Sequence, residues 1–415
     1  MPIRFSDFAQ TVTLESAFNV LAVAKQLKAA GKRVVELEIG DSPFPATAAA
    51  KQAAKEAIAH DHSHYCPSLG LPELRAAAAR YVQREHGIEA TAANVVVAAG
   101  AKPFELFFCE AFLNPGDGVL VFSPHFPTYV PNIARRGARP VFSSLRQDNE
   151  FRPSIADIDR FLATDAKPRA IFINTPHNPT GGVATEDDLR QIADRVRGTD
   201  VVVFSDEPYD MMVWRGRHRS LLTQPGMFDH CLAAYTFSKS YSMSGYRLGF
   251  AVGSPTVAEM IGKLVNTTLS CTPPLVQLAG AAALENDNEE RDRNMQAFRV
   301  KVERLTSALN KIEGVRCIEP TSTFYVFPSV EPICRRDGIT SHGLAMYLLE
   351  GADEKFGVAC LGGECFGDAG QGFIRFSCAE PDEAIDEAVR FFADAINRTD
   401  RIAAYLKANP KYRLA

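Results

Sequence analysis

The chain lacks several features that mark particular classes of protein. Its 415 residues contain no uninterrupted apolar run of 18 residues, so we expect no membrane-spanning helix. The first 16 residues, MPIRFSDFAQTVTLES, hold no apolar core of the kind found in secretory signals. The nine cysteines are scattered and form no CxxC pair. This pattern argues against a disulfide framework and predicts reduced thiols in a cytoplasmic protein.

Positive charge is not in excess either. Lysine and arginine number 45 against 50 aspartates and glutamates, for a net charge of −5, which argues against bulk binding of nucleic acid. Histidines alternate at His60, His62 and His64, yet they sit at a predicted helix end with no partner pair, and we expect no metal site. The composition, 46% hydrophobic and 23% charged, is that of a soluble globular chain long enough for two domains.

Apolar runs of strand length alternate with helix-like stretches along most of the chain. Several runs are continuous rather than alternating, as expected for strands buried on both faces of a parallel sheet. This alternation predicts an α/β fold with a mostly parallel, doubly wound sheet. The strand-length runs lie at 34–39, 94–100, 118–123, 169–175, 200–206, 231–237 and 247–253, and the clearest helical stretches lie at 71–87 and 185–198.

After about residue 290 the pattern changes to a smaller α+β domain. We therefore predict three segments: 1–45, an N-terminal helix and loop that pack with the small domain; 46–290, the large domain; and 291–415, the small domain. The helices expected outside the large domain are 14–30, 288–313, 341–350 and 382–407, and the short strands are 315–318, 323–327, 358–361 and 373–378.

Polar side chains follow the ends of five of the predicted strands. In an open α/β sheet, ligands bind at the carboxyl ends of the strands, so these side chains are candidate site residues. Taken singly, each has an ordinary interpretation as a turn residue, a packed aromatic or a solvated lysine. The candidates are Lys102 after the second run, Phe126 after the third, Asn178 after the fourth, Asp206 and Tyr209 after the fifth, and Ser238 and Lys239 after the sixth.

Together these groups fit the chemistry of pyridoxal phosphate. That cofactor needs a lysine amine for its aldehyde and a carboxylate for its pyridine nitrogen. Amide and phenol donors hold its ring oxygen, and an aromatic side chain stacks on its face. A helix N-terminus, hydroxyls and an arginine bind its phosphate.

Five stretches in this order carry a resemblance to a known family. The chain resembles class I/II aminotransferases of pyridoxal-phosphate fold-type I, in the aspartate/aromatic aminotransferase-like group. The resemblance runs over roughly residues 14–400. The stretches are HYCPSLGLPELR (64–75), NTPHNPTGG (174–182), SDEPYD (205–210), SKSYSMSGYRLGF (238–250) and FIRFSCA (373–379).

The resemblance implies a catalytic and substrate-binding role for particular residues. Lys239 is the lysine that bonds to the cofactor aldehyde and moves protons, and Asp206 pairs with the pyridine nitrogen. Asn178 and Tyr209 bind the ring oxygen, and Asn178 also belongs to the substrate site. Arg375 grips the substrate α-carboxylate, a bidentate role that lysine cannot copy. The backbone of Gly40 contacts the same carboxylate.

The remaining implied cofactor contacts concern the phosphate and the ring face. The resemblance also implies a homodimer with shared active sites. The phosphate is held by Ser238, Arg247 and the backbone at Gly100, Ala101 and Lys102; Phe126 stacks on the ring; Tyr65 reaches a phosphate across the dimer interface.

The implied activity moves an amino group between an α-amino acid and a 2-oxo acid such as 2-oxoglutarate. The donor stays open among aspartate, aromatic and other neutral amino acids. Lys102 is either a binder of a distal carboxylate or a phosphate-side or solvated lysine, and His125 either contacts substrate or is structural. The loop GDSPF (40–44) replaces the GEPDF common in relatives. A carbon–sulfur β-lyase and a cofactor-sensing regulator are the alternative functions.

Overall fold

The computed structural model describes residues 3–12 and 15–414. Over these residues it consists of one large sheet, two small sheets and the helices around them. The strands are β1 (Arg33–Glu36), β2 (Val95–Ala98), β3 (Gly118–Ser123), β4 (Arg139–Ser144), β5 (Pro168–Asn174), β6 (Val202–Asp206), β7 (Cys231–Thr236), β8 (Gly249–Val252), β9 (Tyr325–Val326), β10 (Phe356–Ala359), β11 (Leu361–Gly362) and β12 (Ile374–Ser377).

The helices lie mainly between the strands of the large sheet and after it. None of them, over the residues just given, is long and apolar enough to cross a membrane. They are α1 (Asp7–Thr11), α2 (Ser16–Ala29), α3 (Ala48–Ala59), α4 (Pro72–His86), α5 (Lys102–Phe112), α6 (Tyr129–Arg135), α7 (Ile155–Thr164), α8 (Glu186–Val196), α9 (Pro255–Leu269), α10 (Pro274–Asn286), α11 (Asn288–Leu309), α12 (Glu331–Asp337), α13 (Ser341–Met346), α14 (Asp382–Ala395) and α15 (Thr399–Ala408).

The large sheet has seven strands in the order β2-β8-β7-β6-β5-β3-β4. Strands β3 to β7 run parallel, and β8 and β2 form an antiparallel edge. The predicted mostly parallel α/β fold is therefore confirmed. Asn174 and Asp206 are neighbours in register at the carboxyl ends of β5 and β6. The parallel arrangement thus brings residues from distant parts of the sequence to one edge.

The continuous apolar runs bury side chains on both faces of this sheet. In β5, Ala170 and Phe172 pack on one face with α5 and α9, while Ile171 and Ile173 pack on the other face with α4, α8 and α10. A strand covered on both sides needs no polar alternation, because successive side chains point into opposite cores.

One expectation about strands is wrong, and one strand is missing from the predictions. The run at 34–39 forms β1, which pairs with β10 in a small sheet, and β4, which no predicted run covers, belongs to the large sheet. The stretch 315–318 forms no strand and has only an isolated bridge between Arg316 and Ser329. Strand pairing joins residues far apart in the chain, so a local apolar pattern does not reveal the partner. The single helix expected over 382–407 is two helices, α14 and α15.

The small sheets lie in the part of the chain that follows the large sheet. Strands β11, β12 and β9 form one antiparallel sheet, in which Leu361 is opposite Arg375. Helix α11 packs against α14 and β9. The domain limits at 45/46 and 290/291 stay a prediction.

Gly249 lets β8 approach the turn between β2 and α5. A Cβ at this position would lie 2.6 Å from the carbonyl carbon of Gly100 and 2.8 Å from the amide nitrogen of Ala101. Both contacts are with backbone atoms, which cannot rotate away as a flexible side chain can. The position of the Gly100 turn therefore depends on the missing side chain at 249.

Replacing Gly249 by alanine should destabilise the protein by about 1–3 kcal/mol, because the added methyl group overpacks a backbone contact. The measurement is the free energy of unfolding from urea denaturation. Gly245→Ala is the matched control, since a Cβ there meets nothing within 4 Å. Equal stability of the two variants would show that the turn accommodates the methyl group.

Candidate active site

A cavity of about 450 Å³ opens at the carboxyl end of the large sheet. It brings together all the predicted site residues except Gly100 and Tyr65. The predicted residues that line it are Gly40, Ala101, Lys102, Phe126, Asn178, Asp206, Tyr209, Ser238, Lys239, Arg247 and Arg375.

Lys239 follows β7 and points its amine into this cavity. Its Nζ donates a hydrogen bond of 2.6 Å to the backbone oxygen of Gly40. The Nζ atom also lies 5.9 Å from the ring centre of Tyr209 and 5.8 Å from that of Phe324. The amine is therefore held by one exchangeable backbone contact between two aromatic faces, and it can move to meet a ligand.

Asp206 ends β6 with its carboxyl group buried beneath the cavity. Burial raises the pKa of this carboxyl to about 7; the Tyr129 hydrogen bond and the charges of Lys102 and Lys239 act in the opposite direction. The Tyr129 hydroxyl donates to Asp206 Oδ2 at 2.5 Å. A buried carboxyl with one phenol donor is suited to a cationic N–H group, which would favour its ionised form.

Arg375, in β12, is a buried residue in the lining of the same cavity. Its Nη1 donates to Asn178 Oδ1 at 3.0 Å, and its Nη2 donates to the backbone oxygen of Glu38. The guanidinium carbon lies 4.3 Å from the ring centre of Tyr325 and 5.0 Å from that of Phe366. The Nε atom has no partner among the described residues. Arg375 is thus fixed in place with donor capacity left for an anion.

Gly40 and two tyrosines form a close contact between the N-terminal segment and the small sheets. A Cβ on Gly40 would lie 1.8 Å from the hydroxyl of Tyr325, so no larger residue fits there in this arrangement. The hydroxyls of Tyr325 and Tyr209 are 3.1 Å apart and share a hydrogen bond. This contact sets the position of the Gly40 backbone that holds Lys239.

The loop 40–44 docks on the serine-rich turn after Lys239. Ser42 Oγ lies 2.7 Å from Ser242 Oγ, and Ser244 Oγ donates to Asp41 Oδ2 at 3.0 Å. The departure from the relatives' GEPDF pattern therefore supplies hydroxyl and carboxylate contacts to that turn.

Arg247 lies at the mouth of the cavity beside the start of α5. It donates to the backbone oxygens of Ser244 at 2.9 Å and Ala99 at 3.3 Å. A Cβ on Gly100 would come within 2.6 Å of Arg247 Nη2, so the glycine makes room for the guanidinium. Ser238 Oγ accepts a hydrogen bond of 2.9 Å from Thr236 Oγ1. An arginine, a hydroxyl and a helix N-terminus together suit a phosphate group.

Several candidate residues lie outside the cavity of this chain. Tyr65 is 89% exposed. His125 is buried beside the ring of Phe142, its Nδ1 is 3.0 Å from the Phe126 oxygen, and burial lowers its pKa. The three alternating histidines at 60, 62 and 64 are exposed. In residues 3–12 and 15–414, no group of three or more histidine, cysteine or acidic side chains is placed to hold a metal ion.

Four residues of the site have no role in the sequence predictions. Tyr129 follows the same strand end as Phe126, and this position in the sequence could have identified it as a site residue. Glu38 is a charged residue inside an apolar strand run, which is another signal. Tyr325 and Glu15 carry no local signal, because their contacts with Gly40 and Lys102 join segments far apart in the chain.

Glu38 is a fully buried acid behind Arg375. Neither of its carboxyl oxygens has a hydrogen-bond partner in the part of the chain that the structure describes. Burial raises the pKa of this carboxyl from 4.5 to about 7, while the charge of Arg375 lowers it and those of Glu36 and Glu380 raise it. In the folded protein Glu38 is therefore mostly neutral only below about pH 7.

The sheet and the cavity at its carboxyl edge define an enzyme of the pyridoxal-phosphate fold-type I class. Comparison with known proteins gives the family. The chain belongs to the aminotransferase class I and II family, whose profile matches residues 32–392. The predicted family and the predicted aminotransferase activity are confirmed. Members of this family generally depend on pyridoxal phosphate.

Relatives and solved structures extend this similarity over most of the chain. An aspartate aminotransferase of Pyrococcus abyssi is 33% identical over 364 residues, covering 86% of this chain and 90% of that protein. The aromatic-amino-acid aminotransferase 2 of Thermococcus litoralis is 32% identical over 363 residues, with the same coverage of 86% and 90%. The structure of an aspartate aminotransferase from Thermus thermophilus with maleate is similar at a TM-score of 0.88 and 28% identity, covering 95% of this chain and 100% of that chain.

Glu38→Gln should become more stable relative to the unaltered protein as the pH rises. A folded-state pKa above the unfolded value means that the contribution of Glu38 to stability is complete below pH 4.5 and is lost as the pH rises through about 7. The difference in free energy of unfolding between the two proteins should therefore shift in favour of the glutamine variant by about 2–3 kcal/mol between pH 5 and pH 8.

Urea denaturation at both pH values measures this shift. Glu89→Gln is the control, because it makes the same substitution at an exposed position. A constant difference between Glu38→Gln and the unaltered protein at both pH values would contradict a neutral buried Glu38.

Proposed function

We propose that this chain binds pyridoxal phosphate and moves an amino group between an α-amino acid and a 2-oxo acid such as 2-oxoglutarate. The observation that carries the proposal is that Lys239, Asp206 and Arg375 line one cavity. An amine, a buried carboxyl and a bidentate cation are the three groups that the reaction needs for the cofactor aldehyde, its ring nitrogen and the substrate carboxylate.

The donor set fits the cofactor in each of its parts. Asp206 would accept from the ring nitrogen, and Asn178 and Tyr209 would bind the ring oxygen. The remaining contacts are Arg247, Ser238 and the backbone at Gly100, Ala101 and Lys102 for the phosphate, with Phe126 against the ring face. When bound, pyridoxal phosphate supplies an aldehyde for the amino group and a ring that accepts electrons from the substrate α-carbon.

Lys239 would do the proton transfer. With an amino acid bound, the free Nζ would accept the proton from the substrate α-carbon and would return it on the cofactor side. The hydrogen bond to the Gly40 oxygen shows where the free amine rests in the protein. This single backbone contact lets Nζ move without breaking an ion pair.

Arg375 would hold the substrate α-carboxylate in two hydrogen bonds. Asn178 and the Glu38 oxygen fix its guanidinium, and the Tyr325 ring packs on its face. A fixed carboxylate in turn places the α-carbon at a constant distance from Lys239, which is the orientation that catalysis requires.

The two half-reactions would use the same residues in opposite directions. The first amino acid leaves its amino group in the site and departs as a 2-oxo acid. A second 2-oxo acid then binds through its carboxylate to Arg375 and leaves as an amino acid. Lys239 delivers the proton to the α-carbon in this second half.

A homodimer with shared active sites is part of the proposal. Tyr65 is exposed in the single chain, which supports a role for its hydroxyl at the phosphate of a partner subunit. The nine unpaired cysteines support a reducing location such as the cytoplasm.

Lys239→Ala should remove both the visible absorbance of the cofactor-loaded protein and its turnover. The unaltered protein, loaded with pyridoxal phosphate, should be yellow and lose that absorbance with borohydride. Activity of the variant should fall at least ~100-fold, because the general base is lost. Lys263→Ala, an exposed lysine in α9, is the control. An unchanged spectrum in Lys239→Ala would remove the lysine from the proposed role.

A screen of amino acids by loss of visible absorbance would then rank the donors. The same assay tests the carbon–sulfur lyase alternative. Release of pyruvate from cystathionine without an added 2-oxo acid, in the absence of amino transfer, would contradict the proposed function.

Tyr65→Phe should weaken cofactor binding by about tenfold, because one hydrogen bond to a charged phosphate is lost. Equilibrium dialysis measures the dissociation constant, and sedimentation checks that the dimer persists. Mixed dimers of one Tyr65→Phe subunit and one Lys239→Ala subunit test whether each site takes its Tyr65 from the partner subunit. One site in each mixed dimer combines an intact Lys239 with an intact Tyr65 of its partner, and should bind the cofactor normally. No recovery in mixed dimers would contradict a shared site.

A further inference from the structure

The cavity has an outer wall that the reaction itself does not use. When the substrate carboxylate is bound at Arg375 and the substrate amino group lies at Lys239, the substrate side chain faces the remaining lining of the cavity. That lining includes Glu15, Ala17, Phe18 and Lys102. These residues therefore decide which amino acids fit.

Glu15 and Lys102 form an ion pair across this wall. Glu15 immediately precedes α2, and Lys102 begins α5, so the pair joins the N-terminal segment to the large sheet. The Glu15 side chain is 18% exposed and that of Lys102 is 43% exposed. Lys102 Nζ also lies 5.2 Å from the ring centre of Phe126. The cation that faces the side-chain end of the cavity is thus already paired with a carboxylate of the chain itself.

Among the described residues three other cations line the cavity, and all three are assigned above to the cofactor or to the substrate α-carboxylate: Lys239, Arg247 and Arg375. Phe18, Ala17 and Ile39 contribute apolar surface to the cavity. Glu105 also lines the cavity. Burial raises the pKa of its carboxyl well above the ordinary value, and an acid supplies no charge that would attract a second carboxylate. Glu105 is instead engaged by Thr128 and Asn132.

We infer that Glu15 determines the specificity of this site, because it neutralises Lys102 and selects amino acids with uncharged apolar or aromatic side chains over dicarboxylates. The inference rests on the proposed function. A distal carboxylate entering the cavity would either displace Glu15 from Lys102 or lie beside it as a like charge, and both cost binding free energy. An uncharged side chain leaves the ion pair intact and covers the apolar wall.

Binding of two unreactive acids to the cofactor-loaded enzyme tests this inference without turnover. Maleate carries a second carboxylate, whereas 3-phenylpropanoate carries a phenyl group. Titration calorimetry gives a dissociation constant for each acid and hence their ratio. The unaltered enzyme should prefer 3-phenylpropanoate. Glu15→Gln should shift the ratio about tenfold towards maleate, since Lys102 is then free to bind it.

Two further variants separate the charge effect from a general disturbance. Glu15→Gln combined with Lys102→Met should return the ratio to that of the unaltered enzyme. Lys102→Met alone leaves Glu15 unpaired and should shift the ratio further against maleate. Asp7→Asn removes an acid from the same segment outside the cavity lining and should leave the ratio unchanged.

Preference of the unaltered enzyme for maleate, or an unchanged ratio in both Glu15→Gln and Lys102→Met, would overturn the inference. Failure of the proposed function has a different result, because it would show as no amino transfer by the unaltered enzyme with any donor. If the enzyme transfers the amino groups of aspartate and phenylalanine, and Glu15→Gln leaves the ratio of the two rates unchanged, the inference about Glu15 is wrong and the proposed function stands.

Discussion

The buried carboxyl group of Asp206 is the constraint on which the rest of the site depends. A carboxyl at the covered end of a central strand is costly unless it stays neutral or meets a cation, and burial raises its pKa to about 7. The parallel sheet places it there, with β5 and β7 on either side of β6. Among the described residues, Tyr129 donates the one hydrogen bond to this carboxyl, and the amine of Lys239 lines the same cavity. The fold thereby buries a carboxyl group whose ionised form is disfavoured, and a cationic ring nitrogen would favour that ionised form.

Arg375 is the buried cation of the same cavity. Its guanidinium is held by an amide oxygen and a backbone oxygen, and the pKa of the Glu38 carboxyl close to it is raised by burial to about 7. A charged Glu38 would compete for the guanidinium. Burial of this acid therefore lowers the competition that a carboxylate bound at Arg375 would meet.

The ion pair between Glu15 and Lys102 differs from both, because it is partly exposed while it lines the same cavity. Its contribution to stability is small, as for most pairs at a surface. Its contribution to selectivity is larger, because charge complementarity acts on the difference between two ligands rather than on the folding equilibrium. Glu15 lies directly before α2 and Lys102 begins α5, so the N-terminal segment supplies the carboxylate of this pair.

The order of apolar runs and polar strand ends in the sequence determined the fold class and most of the site. Asn178, Asp206, Tyr209, Ser238 and Lys239 follow strand runs directly, and parallel strands must bring such ends to one edge. The pairing of β1 with β10, the contact of Tyr325 with Gly40, the buried Glu38 beside Arg375 and the neutralisation of Lys102 by Glu15 were decided only by the tertiary structure. These contacts join residues tens to hundreds of positions apart, and local periodicity carries no information about which distant segments meet.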